Sequence, residues 1–237
     1  MKANLKFALG ALAVSVIGCG GSGSGLLNQP QPRLRTINAV TGLPALDVKV
    51  GTTTVASNLP YGNVTPTYTI VPRGFQDVFF ADSSSPTPPL FHLTKTFTFS
   101  DRLDAIAYGS PGATKVVLLV DSLLTGNRGS YRFFNASSAN TAVDVFFTAP
   151  GGPLTGASTL TTGAVGSPND LTTDYYSAGI SAPKTYEIRV YPAGQDTGTP
   201  LVDQNVTLNP GDRKTYVILD PGSPNGNLLP IDDNSPG

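Results

Sequence analysis

At 237 residues, with 26 glycines and 21 prolines, the chain has room for one large or two ordinary domains, and its punctuation favours short elements joined by turns over long helices. A formal net charge of −1, with the basic residues scattered singly, excludes the basic patch that nucleic-acid binding needs. The single cysteine, Cys19, excludes an internal disulfide, so any domain outside the cytoplasm must be held by packing alone.

Lys2 and Lys6 form a short basic region, and Phe7 to Ile17 is an unbroken run of eleven apolar and small residues. As a helix that run reaches only about 17 Å, against roughly 30 Å of bilayer hydrocarbon, so it reads as a signal sequence rather than a permanent span. Val16-Ile17-Gly18-Cys19 follows at once and resembles the lipobox of bacterial lipoproteins. That resemblance implies a diacylglyceryl group on the Cys19 thiol, cleavage before it, and Cys19 as the first residue of the mature protein. Gly20 stands where an aspartate would imply inner-membrane retention, so the resemblance also implies sorting to the outer membrane of a Gram-negative host. Removal of Lys2 and Lys6 leaves 13 basic and 16 acidic side chains.

Gly20 to Gly25 reads GGSGSG and is followed by Asn28-Gln29-Pro30-Gln31-Pro32, a composition that buries too little apolar surface to fold. It is read as a tether spanning on the order of 20 Å. Gly18-x-Gly20-x-x-Gly23 matches a dinucleotide-binding spacing, but no strand precedes it and no amphipathic helix follows.

From Arg33 onward the chain reads as two versions of one unit. Arg35-Thr36-Ile37-Asn38-Ala39 aligns with Arg132-Phe133-Phe134-Asn135-Ala136, and Leu46-Asp47-Val48 with Val143-Asp144-Val145, at one offset of 97. Thr67-Tyr68-Thr69-Ile70 is matched with Thr185-Tyr186-Glu187-Ile188. Asp101-Arg102, Leu118 and Asp121 are matched with Asp212-Arg213, Leu229 and Asp232 at an offset of 111. An insertion in the second copy is placed at Gly151 to Asp170.

Phe91, Leu93, Phe97 and Phe99 alternate with His92, Thr94, Thr96 and Thr98, as do Leu46, Val48 and Val50 with Asp47 and Lys49. Tyr186-Glu187-Ile188-Arg189-Val190 repeats the pattern, with turns such as Asn209-Pro210-Gly211-Asp212 between runs. The expectation is an all-β protein: two tandem immunoglobulin-like, Greek-key β-sandwich domains over residues 33–122 and 128–233.

The openings N-A-V-x-x-x-x-A-L-D-V-K-V and N-A-S-x-x-x-x-A-V-D-V-F-F resemble the bacterial domain-of-unknown-function family 4397, with its arginine-bearing first strand, N-A step and A-x-D-V strand. Tyr186 to Val190 and Gly211 to Val217 resemble the later part of that pattern, whereas Asp101 to Ile106 departs from it. The resemblance implies a secreted or surface-attached fold and no assigned activity.

The mature chain offers hydrolytic or zinc chemistry only His92 and Cys19. His92 lies in the polar register of its strand and is expected to face solvent. Asp101/Asp104 and Asp232/Asp233 lack the alternating oxygen ligands of a calcium loop, and the expectation is no metal, no cofactor and no catalytic residue. Asn38, Asp47, Asn135 and Asp144 recur at equivalent places and are read as structural: an aspartate flanked by core residues accepts hydrogen bonds that pin the preceding loop. Adjacent strand residues point to opposite faces, so one ring of each doublet Phe79-Phe80, Phe133-Phe134, Phe146-Phe147 and Tyr175-Tyr176 leaves its own core. Packing between domains or under a loop is the favoured role, ahead of an exposed patch for a protein or glycan ligand. The function expected is a non-enzymatic, membrane-anchored envelope lipoprotein acting as a binding, structural or spacer module; the rival is a surface calcium- or carboxylate-dependent carbohydrate-active protein.

Overall fold

Runs rich in valine, threonine, phenylalanine and tyrosine, cut by glycine- and proline-bearing turns, become short strands rather than helices. The computed structural model describes residues 30–121, 129–155, 162–165, 175–177 and 182–234, so Cys19, most of the tether and much of the inserted segment lie outside the described residues. Among the described residues no helix is long and apolar enough to cross a membrane.

The first half contains β1 (Arg33–Val40), β2 (Ala45–Val50), β3 (Thr53–Pro60), β4 (Asn63–Val64), β5 (Thr69–Ile70), β6 (Gly74–Asp82), β7 (Phe91–Phe97), β8 (Arg102–Gly109) and β9 (Lys115–Val120). They form two sheets, ordered β4-β1-β8-β9, with β5 also on β1, and β3-β2-β6-β7. The second half contains β10 (Ser130–Asn135), β11 (Val143–Thr148), β12 (Thr162–Val165), β13 (Tyr176–Ser177), β14 (Lys184–Pro192), β15 (Val202–Leu208), β16 (Arg213–Ile218) and β17 (Leu228–Asp232). Its sheets, β13-β10-β16-β17 and β12-β11-β14-β15, repeat the same order. In each half the chain passes back and forth between the two sheets, the layering of a β-sandwich. β1 pairs parallel with β8, and β10 with β16.

Three apolar layers separate the four sheets. Leu34, Val48, Phe80 and Ala105 belong to the core of the first half, and Tyr131, Val145, Ile188 and Tyr216 to that of the second. Ile37, Ile106 and Leu119 meet Phe134, Val217 and Ile231 in a third cluster that joins the halves. Residues 31–237 accordingly form a single compact unit. The inner strands β1, β8, β10 and β16 are buried on both faces, which is why they do not show the apolar/polar alternation of β7 or β14.

Three details of the sequence reading are corrected. β7 ends at Phe97; Phe99 lies beyond it, beneath the Arg73 guanidinium at 4.0 Å. Tyr186 lies on β14, which pairs with β11 as β6 pairs with β2, so it is not the counterpart of Tyr68. The amide of Asp121 bonds the Arg102 carbonyl and that of Asp233 bonds the Arg213 carbonyl, so Asp121 corresponds to Asp233 and not to Asp232.

Candidate functional site between the halves

Because β1 and β10 are covered on both sides, the arginine at the third position of each, Arg35 and Arg132, is buried and must be neutralised inside the protein. Arg35 Nε donates to Asp104 Oδ1 at 2.6 Å, and its Nη2 donates to Asp104 Oδ2 at 2.8 Å and Asp233 Oδ1 at 2.6 Å. Its Nη1 donates to the Asp232 carbonyl at 2.6 Å. Arg132 repeats the arrangement: Nε donates to Thr215 Oγ1 at 2.8 Å, Nη1 to the Val120 carbonyl at 2.9 Å, and Nη2 to Asp121. Each arginine therefore grips the aspartate that follows the last strand of the opposite half.

A tyrosine completes each copy. The Tyr68 hydroxyl donates to Asp121, and that of Tyr175 donates to Asp233 Oδ2 at 2.7 Å. Arg35 and Arg102 flank the Tyr68 ring at 4.5 and 4.1 Å, while Arg132 and Arg213 flank the Tyr175 ring at 4.4 Å each. Burial, the largest influence, raises both phenols above their ordinary range and keeps them as hydrogen-bond donors.

The copies differ at one register position. Arg35 stands opposite Asp104 on β8, and Arg132 opposite Thr215 on β16. Burial is the main influence on Asp104 and pushes its carboxyl up to about 7 against the hydrogen bond from Arg35, with repulsion from Asp121 and Asp233 adding to the rise. Burial, then Asp121, likewise raises Asp233. Arg35 moves the other way from what burial alone would do, because the bond to Asp104 and the surrounding negative charge hold its proton.

Carboxylate oxygens of Asp104, Asp121 and Asp233 lie within 4.8 Å of one another, a spacing that could surround a cation. Two guanidinium groups hold that space instead: Arg35 Nη2 is 3.9 Å from Asp121 Oδ2, and Arg132 Nη2 is 3.6 Å from Asp104 Oδ2. A cation there would have to displace both. All three aspartates are at most 2% exposed. The geometry ties the two halves together through buried arginine–aspartate pairs.

Repeated arginine-bearing openings followed by an N-A step thus have a structural meaning. Residues 32–146 match the family model of a domain of unknown function, DUF4397. The DUF4397 match takes in Arg35, Asp104, Asp121 and Arg132 and ends within β11, before Thr215 and Asp233. Its description carries no activity. No curated protein matches the chain.

Within the matched residues Asn38 donates to the Leu59 carbonyl at 3.0 Å and accepts from the Val40 amide at 3.1 Å. Asn135 donates to the Asn140 carbonyl at 2.9 Å and accepts from the Ser137 amide at 3.0 Å, so it closes the bend after β10, whereas Asn38 ties β1 to β3. Asp47 accepts from the Asn58 amide at 2.7 Å and from the Ser83 hydroxyl; Asp144 accepts from the Gly194 amide at 2.7 Å. These four residues stand apart from the buried joint. His92 is exposed on β7, stacked on Phe79. The sequence pairs Asp101/Asp104 and Asp232/Asp233 are split: Asp101 accepts from Thr98 and Asp232 lies 3.5 Å from Lys214 Nζ, while Asp104 and Asp233 meet across the joint.

Of the doublets, Phe133 enters the core of the second half and Phe134 the layer between halves. Tyr175 enters the joint, and Phe146 and Tyr191 pack edge to face. Phe79 is left partly exposed. A second tie sits at the other end of the interface. Burial would raise the Asp220 carboxyl, but hydrogen bonds from Ser137, Ser138, Thr41 and the Ala139 amide outweigh it and hold it at about 2. Beside it a cleft of about 590 Å³ opens between Tyr108, Ser110 and Lys115 on one side and Ser137 and Thr141 on the other; among the described residues its lining includes no carboxylate, histidine or cysteine.

Reading the residues as a sequence missed the joint because a charged residue inside a strand is ordinarily a solvent-facing one. The available signal was recurrence: Arg35/Arg132, Arg102/Arg213 and Asp121/Asp233 fall at offsets of 97, 111 and 112 in the duplicated unit.

Proposed function

We propose that the chain is a membrane-anchored cell-envelope lipoprotein whose fused sandwiches act as a non-enzymatic binding or spacer module. One observation carries the reading: the chain's only cysteine ends Val16-Ile17-Gly18-Cys19, directly after an eleven-residue apolar run and directly before a Gly/Ser tether. The site geometry supports the non-enzymatic part. The clustered carboxylates Asp104, Asp121 and Asp233 are buried and bonded to arginines, so their lone pairs are spent on joining the halves. Gly20 after the cysteine favours the outer membrane of a diderm host, with the tether setting how far the sandwiches stand from the lipid.

Intact-mass measurement of the protein extracted from membranes with detergent tests the anchor. The expected species begins at Cys19 and carries added acyl mass. A chain that retains Met1, or an unmodified Cys19, overturns it.

A further inference from the structure

The outward sheets of the two halves are covered differently. On β11 and β14, Phe146 and Tyr191 point away from the core of the second half, yet each is only 6% exposed, and their ring centroids lie 5.8 Å apart. Arg189 beside them donates to Thr148 Oγ1 at 2.9 Å and to the Gly152 carbonyl, so the chain folds back over its own sheet. The equivalent face of the first half is bare: Phe75 on β6 is 71% exposed and Phe79 is 36% exposed.

Inward-facing Val78 and Phe80 fix Phe75, Asp77 and Phe79 on the outward side of β6. The register places Thr96 opposite Phe75, Thr94 opposite Asp77 and His92 opposite Phe79. The result is a stripe about 13 Å long, with a ring at each end and a carboxylate and hydroxyls between. His92 lies flat on Phe79, centroids 4.7 Å apart at 16°, and its Nε2 donates to Asp77 Oδ1 at 3.0 Å. That bond orients the imidazole before any ligand arrives, so little side-chain ordering is left to oppose binding.

The geometry points to this face as a binding site for a neutral oligosaccharide. Pyranose rings with equatorial hydroxyls present apolar C–H faces that stack on aromatic rings, and hydroxyl rims that bond to groups such as Asp77, Thr94 and Thr96. Asp77 is paired with His92, and Lys49 is the neighbour of Phe79 on β2, so the stripe favours neither an anion nor a cation. The two phenylalanines expose on the order of 200 Å² of apolar surface between them, below the several hundred Å² of contiguous apolar patch that marks a protein or membrane contact. A narrow ligand fits that area.

The proposal rests on reading the chain as a binder rather than a spacer. It fails independently of the lipid anchor, because intact mass reads Cys19 and saccharide binding reads β6 and β7. The test is isothermal titration of the full-length protein with cellohexaose and chitohexaose. At least one should bind saturably; Phe79→Ala should weaken it about tenfold and Phe75→Ala several-fold, the latter with an unchanged melting temperature because its ring is 71% exposed. Phe99→Ala, beyond the end of β7, should bind as the wild type does. Absence of binding to either hexasaccharide overturns the proposal, as does wild-type affinity in both Phe75→Ala and Phe79→Ala. A concentration-dependent dimer in sedimentation that Phe75→Ala abolishes would assign the face to a second copy of the chain and also overturn it.

Discussion

The first and second halves place the same groups at their shared face: an arginine from the first strand, a tyrosine, a flanking arginine, and an aspartate after the last strand. They part at Asp104 and Thr215. Two threonines would leave the central guanidinium groups of Arg35 and Arg132 with two carboxylates, and two aspartates would bury four. One of each buries three, and the surplus falls beside Arg35, which bonds two carboxylates where Arg132 bonds one. The lesson is that a duplicated fold can retain its exchange of arginines while a single position makes the halves electrostatically unequal. Charge and hydrogen bonding, beyond apolar area, then distinguish this pairing of unlike halves from a pairing of like ones.

The comparison breaks most severely at the arginines. Arg35→Met removes both guanidinium bonds of Asp104, leaves Asp233 with those from Tyr175 and Thr215, and should cost roughly 3–5 kcal/mol. Arg132→Met strands only Asp121, which keeps its bond from Tyr68, and should cost less. Urea denaturation of the two variants checks the order, and equal losses would mean that the surplus carboxylate has no energetic consequence.

A smaller effect, with a sign of its own, comes from pH. The Asp104 carboxyl titrates at about 7 in the folded protein and at about 3.9 in an unfolded chain. Between those values the folded state holds more protons than the unfolded one, so stability is fully present below pH 4 and falls as pH rises through 7. Asp233 acts in the same direction. Asp220, held at about 2, acts in the opposite direction, and its contribution is lost only as pH falls from about 4 toward 2. The melting temperature should therefore be higher at pH 5 than at pH 8, by an amount corresponding to roughly 2–4 kcal/mol. Asp104→Thr copies the second half into the first and should flatten that slope. Thermal melts across the range would detect a slope that persists in the variant, which would relocate the titrating group.

How much of this was legible in the residues depends on which face a strand presents. β7 and β14 have one solvated face, and Phe91, Leu93, Tyr186 and Ile188 declared their inward side by alternation. β1 and β16 have none, and nothing in the residue pattern marked Arg35 and Thr215 as buried, which both are. Similarity between short motifs also misled the matching of copies: Thr-Tyr-x-Ile recurs at Thr67 and Thr185, but the tyrosine equivalent to Tyr68 is Tyr175, which carries no such motif. The aspartates were weighed as neighbours in sequence, whereas strand ends bring Asp104, Asp121 and Asp233 together from 129 residues of chain. Asn38, Asp47, Asn135 and Asp144 were visible because their bonds are local to each half and recur with it.

The smallest expected difference separates Asp47 from Asp144, which occupy one position in the two copies. Asp47 accepts from the Asn58 amide and the Ser83 hydroxyl, whereas Asp144 accepts from the Gly194 amide. Asn58 has φ +52°, a left-handed conformation that asparagine tolerates better than other non-glycine residues but less well than glycine, and the Asp47 bond to its amide helps to hold it. Gly194, at φ +79°, needs no such support. Asp47→Ala should thus lower stability by about 1–2 kcal/mol and Asp144→Ala by about 0.5–1 kcal/mol. Asn58→Gly placed on Asp47→Ala separates the causes. If backbone strain accounts for the excess, the double variant recovers it and unfolds in urea near the midpoint of Asp144→Ala. If the Ser83 bond accounts for it, the midpoint stays where Asp47→Ala put it, and the two halves differ here by a hydroxyl rather than by a dihedral angle.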